Sequence, residues 1–320
     1  MIVRIAVFCA TLFAAGAAFA QHYPTKFVRV IVPFAAGGPT DVMARLIGQK
    51  LSEKLGQQFV VENIGGAGGN IGMGNAARAA GDGYTILFVS SSYVVNPSLY
   101  HKIPYDPDTD FVPITKAAGA PNALIVNPMV PARSVKELVD LIKADPAKYN
   151  IASPGIGTTP HLSIELFKQA FGLNDLLVVP FGGGNPAIQA VTAGHTPLSF
   201  QAIPPAMALI QDGKLRALAI TATKRSSALP NVPTLDELGY KGHEAETMQG
   251  VLAPAGTPKE IVNLLQREIA AILAMPDVRE KILTLGFEPA GNTPAEFAAY
   301  IKAEIAKWKK VIEDAKINKI

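Results

Sequence analysis

The sequence predicts an α/β protein of two lobes, each a mainly parallel sheet covered by helices. Three observations carry this. Short runs rich in Val and Ile alternate with helical patterns across Gly, Pro and Ser turns. The alternation runs once, stops in a Pro-containing stretch and starts again. The length of 320 residues corresponds to about two domains at ~100–200 residues each.

The first unit opens with a strand at Val28–Phe34 and turns at Gly37-Gly38-Pro39-Thr40. Asp41–Leu55 then places Val42, Leu46, Ile47, Leu51 and Leu55 on one helical face, closed by Gly56. A strand at Phe59–Glu62, a Gly-rich turn, a helix at Ile71–Ala80 and a strand at Thr85–Val89 complete β-α-β-α-β. That order indicates a parallel sheet with helices on both faces.

After an irregular stretch, Asn96–Pro113, the second unit starts with a strand at Ala123–Val126. Ser134-Val-Lys-Glu137 is a capping box that opens a helix. Strands at Tyr149–Ala152, Leu176–Phe181, Pro197–Phe200 and Leu215–Thr221 alternate with helices at His161–Phe171, Pro186–Ala193 and Pro205–Gln211. Thr234-Leu-Asp-Glu237 predicts another short capped helix, and Thr247–Ala253 a strand. The tail is helical. Thr257-Pro-Lys-Glu260 and Thr293-Pro-Ala-Glu296 each combine an N-cap, a Pro at the first helical position and a Glu. Gly286 ends the helix between them. These last helices return to the first lobe, so the chain crosses twice and a ligand cleft lies between the lobes. The expected division is residues 21–121 with 247–320 in one lobe and 122–246 in the other.

Composition removes several classes. A hydrophobic fraction of 49% excludes an intrinsically disordered chain. The 29 basic and 26 acidic residues nearly balance, so no basic stripe recruits nucleic acid. The mean hydropathy of +0.24 invites a membrane assignment. Part of it belongs to MIVRIAVFCATLFAAGAAFA, residues 1–20, which reads as a secretory signal peptide with cleavage after Ala20. Its removal takes Arg4 and the single cysteine, Cys9, and leaves a net charge of +2. No later apolar window approaches the ~20 residues of a span. Export without cysteine suits a bacterial periplasm.

Catalytic and cofactor signatures are missing. There is no G-x-S-x-G elbow, and the Gly213-Lys214 pair is followed by Leu, so there is no Walker A loop. The five histidines lie far apart in sequence, with no ligand spacing for a metal. Gly182-Gly-Gly184-Asn-Pro-Ala187 matches G-x-G-x-x-A, but no acid follows the next strand for a ribose. No cofactor and no metal are expected. What remains is a set of Gly/Ser/Thr turns at strand-to-helix junctions: Phe34–Asp41, Asn63–Gly74, Ser90–Ser92 and Ser153–His161. Such turns present backbone N–H groups at the positive end of a helix dipole, where an anion is favoured. In open α/β sheets they gather at the carboxyl ends of the strands. A carboxylate held without an Arg clamp is the natural guest.

Longer motifs run through the whole chain past the signal segment. They include Val30-Ile-Val-Pro-Phe-Ala-Ala-Gly-Gly38, Asp41 with Ala44-Arg45, Val61-Glu-Asn63 and Gly66-Ala-Gly-Gly-Asn-Ile-Gly72. Asp82-Gly-Tyr-Thr-Ile-Leu87, Asn96-Pro-Ser-Leu-Tyr100, Ala152-Ser-Pro-Gly-Ile-Gly-Thr158, Leu229-Pro-Asn-Val-Pro-Thr234 and Ala253-Pro-Ala-Gly-Thr-Pro258 follow in order. In these the sequence resembles the Bug receptors, the solute-binding receptors of tripartite tricarboxylate transporters. The resemblance implies a type II periplasmic binding-protein fold with a hinge and an interlobe cleft. It implies a small carboxylate (di- or tricarboxylate, or aromatic) delivered to one large and one small integral membrane subunit by a monomeric receptor. By the same resemblance the ligand is bound by Phe34, Ala35, Ala36, Gly37, Gly38, Thr40 and Asp41 of the first turn. Ser90, Ser91, Ser153, Gly157, Thr158, Thr159, His161, Gly183, Gly184 and Gln201 complete the expected set.

Two departures stand out. Many members have Arg-Pro where this chain has Ile64-Gly65, and many carry Asp where this chain has Gln201. An Asp there can receive a ligand amine, so Gln201 points away from an amino acid and towards a plain carboxylate. Two alternatives remain: a receptor that signals to a membrane kinase, and a secreted hydrolase using Asp41, Glu62 or His161. The missing nucleophile–base motif argues against the latter.

Overall fold

The computed structural model describes residues Tyr23–Ile320. The expected signal peptide, its cleavage after Ala20 and Cys9 lie outside the described residues. The first sheet is centred on β1 (Val28–Val32), which pairs in parallel with β2 (Phe59–Asn63) and β3 (Thr85–Ser90). β3 is followed across the sheet by β9 (Glu246–Pro254) and then β4 (Phe111–Val126), both antiparallel. In the second sheet β5 (Asn150–Ser153) pairs in parallel with β6 (Leu177–Pro180) and β7 (Leu198–Ala202). The far end of β4 joins it, antiparallel to β7 and to β8 (Arg216–Ile220). β10 (Glu288–Pro289) pairs with β4. Each outer part is therefore parallel, as the alternation predicts, and the strands that cross between lobes run antiparallel.

The expected strand at Ala123–Val126 is the end of a 16-residue strand. Pro113, Gly119 and Pro121 hide its first part from the sequence. Register shifts between Pro113 and Thr115 and between Lys116 and Ala118 absorb the irregularity. β4 thus belongs to both sheets: residues up to Pro121 face β9, and Asn122–Val126 face β7. Beside this crossing, Thr221 holds the two connecting segments together. Its hydroxyl accepts from the Asn122 N–H at 2.9 Å and donates to the Ala245 carbonyl, while its own carbonyl accepts from the Ala245 N–H at 3.0 Å.

Among the described residues, seven α-helices precede the tail: α1 (Pro39–Leu55), α2 (Asn70–Ala77), α3 (Ser92–Leu99), α4 (Val135–Ala144), α5 (Thr159–Phe171), α6 (Gly184–Thr192) and α7 (Ile203–Gln211). α3 occupies part of the stretch read as irregular. Pro97 removes the N–H that would bond the Tyr93 carbonyl. The Tyr105 hydroxyl donates to that carbonyl instead, at 3.4 Å. The tail is α8 (Lys259–Leu273), α9 (Pro276–Thr284) and α10 (Pro294–Asp314). A single helix up to Gly286 is replaced by two, because Pro276 cannot continue α8.

The capping signals divide. Thr293 and Glu296 form the full reciprocal box of α10. Thr257 spends its hydroxyl on the Pro254 carbonyl and caps nothing. Thr234 and Glu237 exchange both box hydrogen bonds at 3.0 Å, yet only a turn follows, because Gly239 goes left-handed at φ +90° and reverses the chain.

Burial follows the two sheets. α1 and α8 cover one face of the first sheet through Met43, Ile47, Leu51, Leu265, Ile269 and Ile272, packed on Val30, Phe88 and Val251. α3 and α10 cover the other through Tyr93, Val94, Phe297, Ile301 and Trp308. The tail therefore returns to the first lobe. α4 and α5 pack on one face of the second sheet, α6 and α7 on the other. Among the described residues, no helix is long and apolar enough to cross a membrane.

Candidate functional site

The carboxyl ends of β1, β3, β5 and β7 lead into α1, α3, α5 and α7, and together with the start of α6 these junctions surround a cavity of about 460 Å³. Its wall includes Phe34 and Pro39 from the first junction and Ser90–Ser92 from the third strand. Gly157–Pro160, Gly184, Gln201, Ala202 and Pro205 close it from the second lobe. Among the described residues, no Asp, Glu, Lys or Arg side chain lines it. Positive potential comes instead from the first N–H groups of these helices, which have no partner within their own helix.

Each expected residue has a definite place. Phe34, Ser90, Ser91, Gly157, Thr158, Thr159, Gly184 and Gln201 line the cavity. Ala35, Ala36 and Gly37 are exposed and lie outside the lining. Gly38 caps α1, and Thr40 is buried in its first turn. Asp41 is 2% exposed, and its carboxylate is already engaged. It accepts from the Gly37 N–H at 2.8 Å, from Asn63 Nδ2 at 2.9 Å and from the Arg45 guanidinium at 2.9 Å. Burial alone would raise its pKa, but Arg45, Gly37 and Asn63 outweigh that and hold it below the usual carboxylate range. Asp41 thus shapes the turn, with Gly37 left-handed at φ +82°. Its charge also meets the α1 dipole from within the chain.

The α5 junction is built in the same way around a neutral group. Thr158 caps α5 by accepting from the His161 N–H at 3.3 Å, and Ser153 Oγ accepts from the Gly155 N–H at 3.3 Å. His161 is 7% exposed and sits behind the turn, where Nδ1 accepts from the Gly157 N–H at 3.3 Å. Burial, and secondarily the Lys168 charge, push its pKa down to about 4, so the ring is neutral near pH 7. Gly157 has φ +78°, and a Cβ there would stand 2.1 Å from Leu99 Cδ2. The second lobe meets α3 of the first at this point. Gly183 precedes α6 as its cap, outside the lining.

Several lining residues lie outside the expected ligand-binding set, although Ser92 and Gly68 stand in turns that the sequence singles out. The Ser92 hydroxyl is buried and, among the described residues, has no partner. Thr247 on β9 meets Thr159 across the cleft, Oγ1 to Oγ1 at 2.9 Å. Asn96 donates to the Gly68 carbonyl at 3.0 Å and to Asn70 Oδ1 at 2.8 Å, which fixes Gly68 in the wall. Asn96 and Tyr100 stand in a quoted motif, so a signal existed there. Thr247 had none, because its place depends on the register of a strand far along the chain.

A second cavity, of about 540 Å³, differs in kind. It is lined by Lys116, Glu246, Glu288, Tyr300, Glu304 and Lys307, among others. Lys116 pairs with Glu246 and Lys307 with Glu304. Glu288 accepts from the Ser227 N–H at 3.1 Å, and Lys116 Nζ lies 4.6 Å from the Tyr300 ring centre. Burial holds the Glu304 carboxyl above its usual range against the pull of Lys307, with Glu246 adding to the rise. Among the described residues, no group of three His, Cys, Asp or Glu side chains is placed to hold a metal.

Known proteins share this architecture. The sequence profile of the tripartite tricarboxylate transporter family receptor matches residues 43–317. Protein BugT of Bordetella pertussis is 37% identical over 97% of this chain and 95% of its own. The Rhodopseudomonas palustris protein Rpa4515, solved with adipate, is 37% identical with a TM-score of 0.80, covering 93% of this chain and all of that one. MatC of Rhodopseudomonas palustris, solved with bound malate, is 33% identical with a TM-score of 0.75, covering 91% of this chain and all of that one. A two-lobed fold, strand-to-helix turns around an uncharged cleft and a family match over most of its length establish that this chain belongs to the tripartite tricarboxylate transporter receptor family, whose members are periplasmic solute-binding proteins.

Proposed function

We propose that the protein captures a small carboxylate in the cleft between its lobes and delivers it to the large and small integral membrane subunits of a tripartite tricarboxylate-type transporter. The observation that carries this is the cleft wall: helix N-termini and hydroxyls without one charged side chain. Helix dipoles and N–H groups favour a carboxylate at such a place. The relatives solved with adipate and malate are carboxylate complexes, which supports the same class here.

In this reading the lobes are residues 21–121 with 247–320 and residues 122–246, joined where β4 and β9 cross. Ligand contacts from Ser90–Ser92 on one side and Gly157–Thr159, Gly184 and Gln201 on the other draw the lobes together. Asp41, Ser153 and His161 act behind the wall by holding the turns in shape. The working form is a monomer, exported by an N-terminal signal peptide cleaved after Ala20.

Titration of the purified protein with a panel of mono-, di- and tricarboxylates tests this, read by calorimetry and thermal shift. The expected result is saturable binding of at least one acid with Kd in or below the micromolar range, about 8 kcal/mol or more. Absence of any response across the panel refutes it.

A further inference from the structure

Gln201, like Asn96, is a lining side chain whose amide orientation the protein decides for itself. Its Nε2 lies 2.8 Å from Ser199 Oγ. The Ser199 hydroxyl has one proton and directs it at the Ala152 carbonyl, 2.6 Å away, or at the Phe200 carbonyl at 3.1 Å. A carbonyl only accepts, so Ser199 Oγ is left as an acceptor towards Gln201, and only the NH₂ end of the amide satisfies it. Ser199 is fully buried and Gln201 is 1% exposed, so neither has room to rearrange through water. Among the described residues, this is the only hydrogen bond of the Gln201 side chain. Its Oε1 stands 3.4 Å from where a Cβ would sit on Gly184, another wall residue.

The rest of that end of the cleft is poor in donors. α6 begins Gly184-Asn185-Pro186 and α7 begins Ile203-Pro204-Pro205. Three of the six first-turn positions therefore have no N–H. α3 begins Ser92-Tyr93-Val94, with every N–H present and the Ser92 hydroxyl free. The cleft is polarised: α3 offers its first-turn N–H groups and a hydroxyl, and a fixed acceptor faces them from Gln201.

We infer that the ligand is a hydroxylated carboxylate, its carboxylate at the α3 turn and its hydroxyl donating to Gln201 Oε1. This rests on the carboxylate reading above and narrows it. A neutral donor is required. An ammonium at this end would meet the positive ends of α6 and α7 and find no carboxylate to neutralise it. A ligand that lacks a donor leaves Oε1 desolvated and unpaired, the loss by which a polar site rejects an analogue.

Three matched pairs serve as probes: succinate and malate, glutarate and 2-hydroxyglutarate, benzoate and 4-hydroxybenzoate. Calorimetry on the full mature chain is expected to show one hydroxylated acid binding at least about tenfold tighter than its partner. The Gln201→Met variant is expected to bring that ratio to about twofold or less. Ser199→Ala keeps the Gln201 side chain but releases its orientation, and an intermediate ratio is expected. Thermal unfolding of both variants confirms that the folded form is being compared. Deoxy acids binding as well as hydroxylated ones in the native protein overturn the inference while the carboxylate reading stands. So does a hydroxyl preference that survives Gln201→Met. If no acid binds at all, the carboxylate reading itself falls and this inference with it.

Discussion

Two cavities of similar size lie on opposite sides of one strand, and they treat charge in opposite ways. Glu246 and Thr247 are neighbours on β9, and adjacent side chains on a strand point to opposite faces. Glu246 enters the cavity where it pairs with Lys116 and where Lys307 pairs with Glu304. Thr247 enters the cleft, whose wall has no charged side chain. A site full of paired charges has already answered its own electrostatics, and a guest ion there must break a pair. A site whose potential comes from helix ends keeps it available for a ligand. Cavity volume alone does not separate the two; the state of their polar groups does.

The strongest test of this contrast is a charge placed in the uncharged wall. Ser92→Asp is expected to weaken carboxylate binding by about a hundredfold or more, since a buried carboxylate would face the ligand's own. Lys224 also lines the other cavity, and there Lys224→Glu changes the local charge by two and is expected to shift affinity by no more than about twofold. Equal effects on ligand affinity would erase the distinction.

A proton is a smaller perturbation of the same wall. The neutral His161 ring supports Gly157, with its folded pKa depressed to about 4. Below about pH 6.5 the unfolded chain takes up a proton that the folded chain refuses. The stability tied to this ring is therefore complete above that pH and is lost as pH falls towards 4. The expected loss is about 2–3 kcal/mol. Urea titrations at pH 7 and pH 4.5 measure it as the difference between the native protein and His161→Gln. Equal pH dependence in the two would remove His161 from this role.

The least effect is expected on the charged side. Lys116→Met leaves Glu246 without its partner, near Glu304. Removing one member of a buried pair costs about 3–5 kcal/mol. These side chains are 16% and 26% exposed, so about 1–2 kcal/mol is expected by denaturant unfolding. Ligand affinity is expected to stay within about twofold. A large loss of affinity would mean that the second cavity takes part in binding.

The sequence showed most where physics is local. The β1-α1-β2-α2-β3 order, the Gly56 stop and the Thr293 box depend on neighbours a few residues apart, and they fold as read. The first part of the crossing strand β4 did not show itself, because Pro113 and Pro121 contradict a strand unless bulges and distant partners compensate. Thr234–Glu237 teaches the reverse: both cap hydrogen bonds form, and Gly239 still prevents the helix. In the cleft, the turns were readable as glycine and hydroxyl clusters. The division of labour within them was not. That Asp41 and His161 hold turns from behind depends on burial, which no local pattern encodes. Thr247 and the fixed amide of Gln201 depend on strand register across the molecule.

The prolines at these helix starts have one more consequence. Pro39, Pro160, Pro186, Pro204 and Pro205 all stand in first turns around the cleft. Each restricts the backbone before any ligand arrives, so the turns surrender little conformational entropy on capture. The turns are thus stiff jaws whose shape is set by the chain itself before it meets a ligand.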